Sequence, residues 1–240
     1  MTELKAPSLT AIAGEGLGAL EFTRLTAALP TLALQPRGNG EPVLVLPGFG
    51  ASNVSTTPLR RYLSWLGYDV QGWSLGRNTG NVHELLPQAA DQVRRISTQH
   101  KSSVSIVGWS LGGVIAREVA RDYPELVCQI VTMGSPVVGG PKYTSLGGIF
   151  ERRGADLDQI EATIAAREST PISVPVTSIY SKRDGIVGWQ ASIDRHTAQV
   201  EHIEVCTTHL GLGISPDVFK IIARKLADSR SQTARSSQTG

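Results

Sequence analysis

The stretch that decides the fold is Ser103-Val-Ser-Ile-Val-Gly-Trp-Ser-Leu-Gly-Gly-Val-Ile-Ala-Arg-Glu-Val-Ala120. Its first residues form an apolar run typical of a buried strand, and its last residues repeat apolar side chains at helical spacing. Between them, Gly108-Trp109-Ser110-Leu111-Gly112 fits the pattern G-x-S-x-G. These features predict a strand, a sharp turn that carries Ser110, and a helix that begins at the serine.

This arrangement favours nucleophilic chemistry at Ser110. The turn lifts the serine hydroxyl clear of the sheet, and the flanking glycines remove side chains where strand and helix crowd together. The free N–H groups and the positive end of the helix dipole point at any anion that forms beside the serine. We therefore predict that Ser110 is a nucleophile.

The same pentapeptide occurs a second time, as Gly72-Trp73-Ser74-Leu75-Gly76. Polar and turn-forming residues follow it at 77–81 and delay the next helix. The strand–turn–helix arrangement that exposes a nucleophilic serine requires the helix to begin at that serine. We therefore interpret Ser74 as a loop residue at a strand end.

Apolar runs and amphipathic patterns alternate along the rest of the chain. Strands are predicted near 43–46, 68–73, 104–107, 127–133, 174–180 and 200–205, and helices near 57–65, 81–99, 111–120 and 216–227. This alternation predicts an α/β fold with a mostly parallel central sheet and helices on both faces.

The chain divides into three parts by pattern. We expect an N-terminal helical extension over 1–40, an α/β domain over 41–228 and a disordered tail over 229–240. The extension should hold a helix from about Leu17 to Ala28, ended by Pro30. Residues 137–173 interrupt the alternation and include a helix of about Asp156 to Arg167. An insertion of this size indicates a small lid or cap, with a plain surface excursion as the alternative.

Composition excludes several classes of protein. The 240 residues are 40% hydrophobic and 18% charged, which is typical of a globular domain. The net charge of +2 gives no reason to expect nucleic acid as a partner.

No signal peptide, membrane span or metal-type spacing is visible, so we expect a cytoplasmic protein with no integral membrane segment and no metal. Cys128 and Cys206 are expected to be free thiols, although a disulfide between them is compatible with the sequence. The oligomeric state is left open.

An activated serine requires a base and an acid, which should follow strands further along the chain. Among the five histidines, His209 lies in a glycine-flanked loop after the last strand, and His196 in a polar connection is its rival. Among the acids, Asp184 follows a strand and precedes a glycine, and Asp194 is the weaker rival. We predict that Ser110, Asp184 and His209 form a catalytic triad.

The same reasoning predicts the rest of the site. The segment Pro47-Gly48-Phe49-Gly50 follows the first strand, so the backbone N–H groups of Phe49 and Leu111 are the expected oxyanion donors. Trp73, Trp109 and Trp189 are candidates for the substrate pocket and suggest an apolar substrate.

Taken together, these motifs resemble the α/β-hydrolase family in its lipase and esterase branch. The resemblance covers about residues 41–228 and is carried by 46–50, 108–113, Met133-Gly134-Ser135-Pro136, Asp184-Gly185-Ile186-Val187 and His209. Many members have histidine where this chain has Pro47, so a contact from that side chain is absent here.

The resemblance implies a serine hydrolase that cleaves carboxylic esters through an acyl-enzyme intermediate, without a cofactor. The implied partner is a small-molecule or lipid-like ester, but one fold hosts many reactions and does not identify the substrate. Two alternatives stay open: an acyltransferase that uses the same triad, and a binding protein that has kept the fold without catalysis.

Overall fold

A computed structural model of the chain describes residues 3–236, with side chains described through residue 228. Six strands form a single sheet in which all neighbouring strands run parallel. The strands are β1 (Pro42–Leu46), β2 (Asp69–Gly72), β3 (Val104–Trp109), β4 (Val127–Met133), β5 (Val176–Tyr180) and β6 (Val200–Glu204). Their order across the sheet is β2-β1-β3-β4-β5-β6.

The helices connect these strands and extend the chain at both ends. They are α1 (Leu9–Gly14), α2 (Leu20–Ala27), α3 (Leu29–Ala33), α4 (Thr57–Trp65), α5 (Val82–His100), α6 (Leu111–Asp122), α7 (Gly147–Arg152), α8 (Leu157–Arg167), α9 (His209–Leu212) and α10 (Pro216–Ser236). The predicted α/β fold with a parallel sheet is confirmed.

Two hydrophobic cores lie on opposite faces of the sheet, because successive strand residues point to opposite sides. Leu44 and Leu46 of β1 pack with α5 and α6 on one face. Val43 and Val45 pack with α4 and α10 on the other. Burial on both faces explains why the strands read as continuous apolar runs.

The strand order creates a switch point between β1 and β3. From β1 the chain moves outward to β2, whereas β3 through β6 extend in the opposite direction. In open parallel sheets, ligands bind outside the carboxyl ends of the strands at such a point. The loops that follow β1 and β3, with Phe49 and Ser110, meet there.

The N-terminal region differs from the prediction of one helix from about Leu17 to Ala28. It forms α1, a 3₁₀ turn over Glu15–Ala19, α2 and α3. Pro30 does not end a helix but occupies the first turn of α3, where a missing N–H breaks no intrahelical bond.

The insertion contains the predicted helix near 156–167, whereas the C-terminal end differs from the prediction. In the insertion 137–173, Asp156 caps α8, and its side chain accepts a hydrogen bond from the Gln159 N–H at 3.0 Å. Helix α10 continues to Ser236, so helical backbone occupies 229–236 where a disordered tail was expected, and 237–240 lie outside the described residues.

Cys128 and Cys206 are free thiols. Within residues 3–236, no helix has both the length and the apolar character to cross a membrane.

Candidate active site

Ser110 lies at a strained turn between β3 and α6. Its φ of 53° and ψ of −122° lie in a region that residues with a side chain rarely occupy. The Ser110 N–H donates to the Met133 carbonyl at 2.8 Å, and the Ser110 carbonyl accepts from the Gly113 N–H at 2.9 Å. These bonds hold the strained turn in place, and α6 begins at the next residue, Leu111.

Close backbone packing explains the glycines of the G-x-S-x-G motif. A side chain at Gly112 would place its Cβ 2.5 Å from the Leu46 carbonyl oxygen, and one at Gly108 would collide with the backbone of Gly113. The start of α6 therefore approaches both β3 and the end of β1 this closely only because Gly108 and Gly112 lack side chains.

Asp184 and His209 form a buried pair in the loops that follow β5 and β6. The His209 Nδ1 lies 2.7 Å from the Asp184 Oδ2, and both side chains are at most 5% exposed. The other carboxylate oxygen of Asp184 accepts hydrogen bonds from the Ile186 and Val187 N–H groups at 2.9 and 2.6 Å. Since a carboxylate only accepts, Nδ1 is the donor, and this leaves Nε2 able to take a proton.

The end of β4 brings this pair towards the serine. A Cβ at Gly134 would lie 2.8 Å from the Asp184 Oδ2 and 3.0 Å from the His209 Nδ1. The preceding residue accepts the Ser110 N–H, and the ring of Trp109 lies 6.1 Å from the His209 ring. The structure therefore brings the three predicted triad residues to the same end of the sheet.

The loop after β1 passes directly beside the serine. A Cβ at Gly48 would lie 3.1 Å from the Ser110 Cβ. Among residues 3–236, neither the Phe49 N–H nor the Leu111 N–H has a hydrogen-bond acceptor in the protein. Both predicted oxyanion donors are therefore free, and Leu111 supplies the first N–H of a helix.

Asn78 holds this loop, and sequence reasoning missed it. Its side chain is fully buried, and its Nδ2 donates to the Pro47 carbonyl at 3.0 Å. Its backbone carbonyl accepts from the Gly50 N–H, and its own N–H donates to the Ala51 carbonyl, both at 2.8 Å. The polar run 77–81 looked like an ordinary turn, and no local signal distinguishes Asn78 from its neighbours.

The insertion touches the same loop through aromatic contacts. The rings of Phe49 and Phe150, the latter in α7, lie 4.7 Å apart. The Arg153 guanidinium lies over the Phe49 ring, 5.1 Å from its centroid. Residues 137–173 therefore contact the loop that carries Phe49, and their role as a lid or cap stays a prediction.

The three tryptophans lie in different environments. Trp109 is partly buried beside His209, and Trp189 stacks on Tyr180 at 5.8 Å. Trp73 is 1% exposed and packs in the core beneath α5, which corrects its prediction as a pocket residue. An apolar side chain at a strand end fits a core as well as a pocket, so the sequence did not separate the two.

The rival residues lie elsewhere. Ser74 is exposed in the loop after β2, and the His196 Nε2 lies 3.0 Å from the Glu168 carboxylate. Asp194 pairs with Arg117 at 2.7 Å. Burial would raise the pKa of the Asp194 carboxyl, but the Arg117 guanidinium and hydrogen bonds from 196 and 197 outweigh burial and hold the pKa at about 2.

Within the described residues, no cluster of three or more His, Cys, Asp or Glu side chains could hold a metal ion.

Comparison with known proteins finds one matching family model and several curated enzymes that share a single name. Residues 61–153 match the family described as PGAP1-like alpha/beta domain. The chain is 32% identical over 105 residues to a pimeloyl-[acyl-carrier protein] methyl ester esterase of Shewanella woodyi, covering 44% of this chain and 40% of the relative. It is 30% identical over 132 residues to the protein of that name from Aromatoleum aromaticum, covering 55% and 38%. The chain thus spans about two fifths of the length of these curated relatives.

Solved structures share the fold over a larger part of the chain. Est1E from Butyrivibrio proteoclasticus superposes with a TM-score of 0.61 at 11% identity, covering 82% of this chain and 92% of that one. One of the metagenome-derived lipolytic enzymes LipS and LipT superposes with a TM-score of 0.59 at 19% identity, covering 82% and 96%. The six-stranded parallel sheet and these superpositions together show that the chain has the α/β-hydrolase fold.

Proposed function

We propose that this chain is a serine hydrolase that cleaves carboxylic esters through an acyl-enzyme intermediate. One observation carries the proposal: the strained Ser110, directly before the first residue of α6, lies at the same end of the sheet as a buried Asp184–His209 pair. A strained backbone held by its surroundings is characteristic of functional sites.

In the proposed reaction, the Ser110 Oγ attacks the ester carbonyl carbon while the His209 Nε2 takes the hydroxyl proton. Asp184 keeps the imidazole in the correct tautomer through Nδ1 and stabilises the imidazolium. The N–H groups of Phe49 and Leu111 donate to the oxyanion of the tetrahedral intermediate. The C–O bond then breaks, the alcohol leaves with the proton from His209, and the acyl group stays on Ser110.

A water molecule completes the proposed cycle. His209 takes its proton, the resulting hydroxide attacks the acyl carbon, and a second tetrahedral intermediate forms in the same oxyanion hole. Collapse of that intermediate releases the carboxylic acid and returns the proton to Ser110. An alcohol in place of the water would give acyl transfer, so product analysis separates the two reactions.

Two features support an ester with an apolar acyl part. The curated relatives are named as methyl ester esterases, and one structural neighbour is described as lipolytic. Phe49, Phe150 and Trp109 provide aromatic surface near Ser110. Aromatic and aliphatic groups line most sites for small apolar ligands.

The test uses a fluorophosphonate probe and a panel of p-nitrophenyl esters of increasing acyl length. Ser110→Ala and His209→Ala are expected to lose labelling, and peptide mass spectrometry should locate the wild-type adduct on Ser110. Ser74→Ala is the matched control, because it alters the same residue in an identical pentapeptide and should react like wild type. An adduct on Ser74, no adduct at all, or full ester turnover by Ser110→Ala would overturn the proposal.

A further inference from the structure

The N-terminal segment lies directly against the two loops that carry Asp184 and His209. A Cβ at Gly185 would collide with the Ala11 carbonyl, and one at Gly188 with the Lys5 carbonyl. Further along the segment, a Cβ at Gly18 would lie 2.7 Å from the Thr208 Oγ1. The backbone of residues 5–18 therefore fits closely against the loops that follow β5 and β6.

Glu15 joins the two loops through its carboxylate. Its Oε1 accepts hydrogen bonds from the Gly185 N–H at 2.7 Å and from the His209 N–H at 2.9 Å. Its Oε2 accepts from the Leu210 N–H at 2.9 Å. The Glu15 carboxylate therefore binds the backbone N–H groups of Gly185, His209 and Leu210, and so joins the loop of Asp184 to that of His209.

Two of these donors, the N–H groups of His209 and Leu210, need an acceptor from outside their helix. His209 and Leu210 open α9, and the first N–H groups of a helix have no intrahelical partner. Thr208 satisfies a different N–H of that turn, that of Gly211. Hydrogen bonds to a carboxylate are shorter and stronger than those between neutral groups, so Glu15 fixes both backbones firmly.

Other contacts keep the segment in place. The buried Glu21 accepts from the Thr207 Oγ1 at 3.0 Å, and Arg24 bridges Glu21 to Asp217 of α10 with N···O distances of 2.7 and 2.8 Å. These contacts anchor α2 beside the histidine loop without touching Asp184 or His209.

We propose that Glu15 is a positioning residue that sets the distance between Asp184 and His209. The inference rests on the proposed function for its catalytic consequence, but the geometry it describes is separate from catalysis. Glu15 acts through backbone N–H groups and does not touch the reacting atoms. The N-terminal segment is accordingly part of the active-site framework rather than an appendage of the domain.

The experiment compares Glu15→Ala and Glu15→Gln with the matched control Glu3→Gln. Glu3 is an exposed glutamate of the same segment that pairs with Lys5. With Glu15→Ala, we expect kcat to fall about tenfold to a hundredfold at nearly unchanged KM, since small displacements of catalytic groups cost that much. Glu15→Gln keeps one acceptor oxygen and should lose less, whereas Glu3→Gln should match wild type. Assays well below each variant's unfolding temperature separate positioning from loss of folded protein.

A second measurement is independent of activity. The proton on the His209 Nδ1, which bonds to Asp184, should give a low-field NMR resonance in the wild-type chain, to be assigned by its loss in His209→Ala. We expect this resonance to move or broaden in Glu15→Ala and to stay unchanged in Glu3→Gln. An unchanged resonance in folded Glu15→Ala overturns the inference. If the wild-type chain hydrolyses no ester, the proposed function fails, and the resonance still decides whether Glu15 positions the pair.

Discussion

Asn78 and Gly134 show how single residues determine the geometry of the site. Asn78 ties the loop of Phe49 to the segment that follows β2, and Gly134 provides the space in which Asp184 and His209 meet. Neither residue belongs to the predicted triad. Each leads to a prediction with a matched control elsewhere in the chain.

Replacing Asn78 with alanine should slow the reaction. The change leaves the Pro47 carbonyl and the Gly80 N–H without their side-chain partner, so the Phe49 N–H should move away from the oxyanion. We expect kcat to fall by about tenfold to a hundredfold, no more than the loss of about a hundredfold to a thousandfold that removal of a whole oxyanion donor causes. Ester hydrolysis at saturating substrate measures the effect.

Asn81→Ala is the control for that change. Asn81 caps α5 through a 3.4 Å hydrogen bond from the Glu84 N–H, so its loss costs about 1 kcal/mol of stability without touching the oxyanion loop. Equal kcat values for the two variants would contradict the role assigned to Asn78.

Gly134→Ala should separate the acid from the histidine. The new methyl group would meet the Asp184 Oδ2 at 2.8 Å, the His209 Nδ1 at 3.0 Å and the Leu212 Cδ1 at 2.7 Å. Since Gly134 has a φ of +53°, alanine there also carries backbone strain. Gly40→Ala, at a φ of +84° with open space around it, reproduces the strain alone. We expect a large loss of kcat and of fluorophosphonate labelling in Gly134→Ala only, and normal labelling of that variant would refute this account.

At the scale of elements, regular strands and helices were predictable and long-range contacts were not. The alternation of apolar runs predicted the parallel sheet, and the predicted helix 57–65 coincides with α4. Glu15 and Asn78 were missed because their partners lie 170 and 31 residues away, where no local pattern records them. The helix predicted near 17–28 is present as the 3₁₀ turn over Glu15–Ala19 followed by α2, but the neighbouring α1 and α3 were not predicted. The N-terminal segment packs on the distant loops around Gly185 and Thr208, and no local pattern records these contacts.

The insertion allows a test at this scale. Phe150 of α7 packs on Phe49, and an aromatic pair is worth about 0.5–1.5 kcal/mol beyond its burial. Phe150→Ala should therefore raise KM for long-chain esters about two- to tenfold while acetate esters change little. Phe22→Ala alters an exposed phenylalanine of α2 and serves as the control. An equal change for short and long esters would contradict the interpretation of 137–173 as a substrate-facing cap.

At the scale of the whole molecule, a buried ion pair away from the proposed site joins two of the elements around it. The buried ion pair of Arg117 and Asp194 links α6, the helix that follows the proposed nucleophile Ser110, to the connection between β5 and β6. Both side chains are at most 5% exposed, so neither charge has water as an alternative partner. Breaking such a pair leaves an uncompensated buried charge, which typically costs about 3–5 kcal/mol.

The pH dependence of stability should reveal this pair. In the folded chain the pKa of Asp194 is about 2, below its ordinary value of 3.8, so the carboxylate stabilises the fold fully above about pH 4. This contribution is lost as the pH falls from about 4 towards 2, because the protonated acid no longer pairs with Arg117.

Asp194→Asn should therefore lower the unfolding free energy by roughly 2 kcal/mol or more at pH 7, and the difference from wild type should shrink as the pH falls from about 4 towards 2. Asp91→Asn, which breaks an exposed pair with Arg94, should change stability by less than about 1 kcal/mol at any pH. Denaturant unfolding at pH 7, 4 and 2.5 decides the matter: a difference for Asp194→Asn that stays constant across these pH values would mean that the buried carboxylate is not the source of the stabilisation.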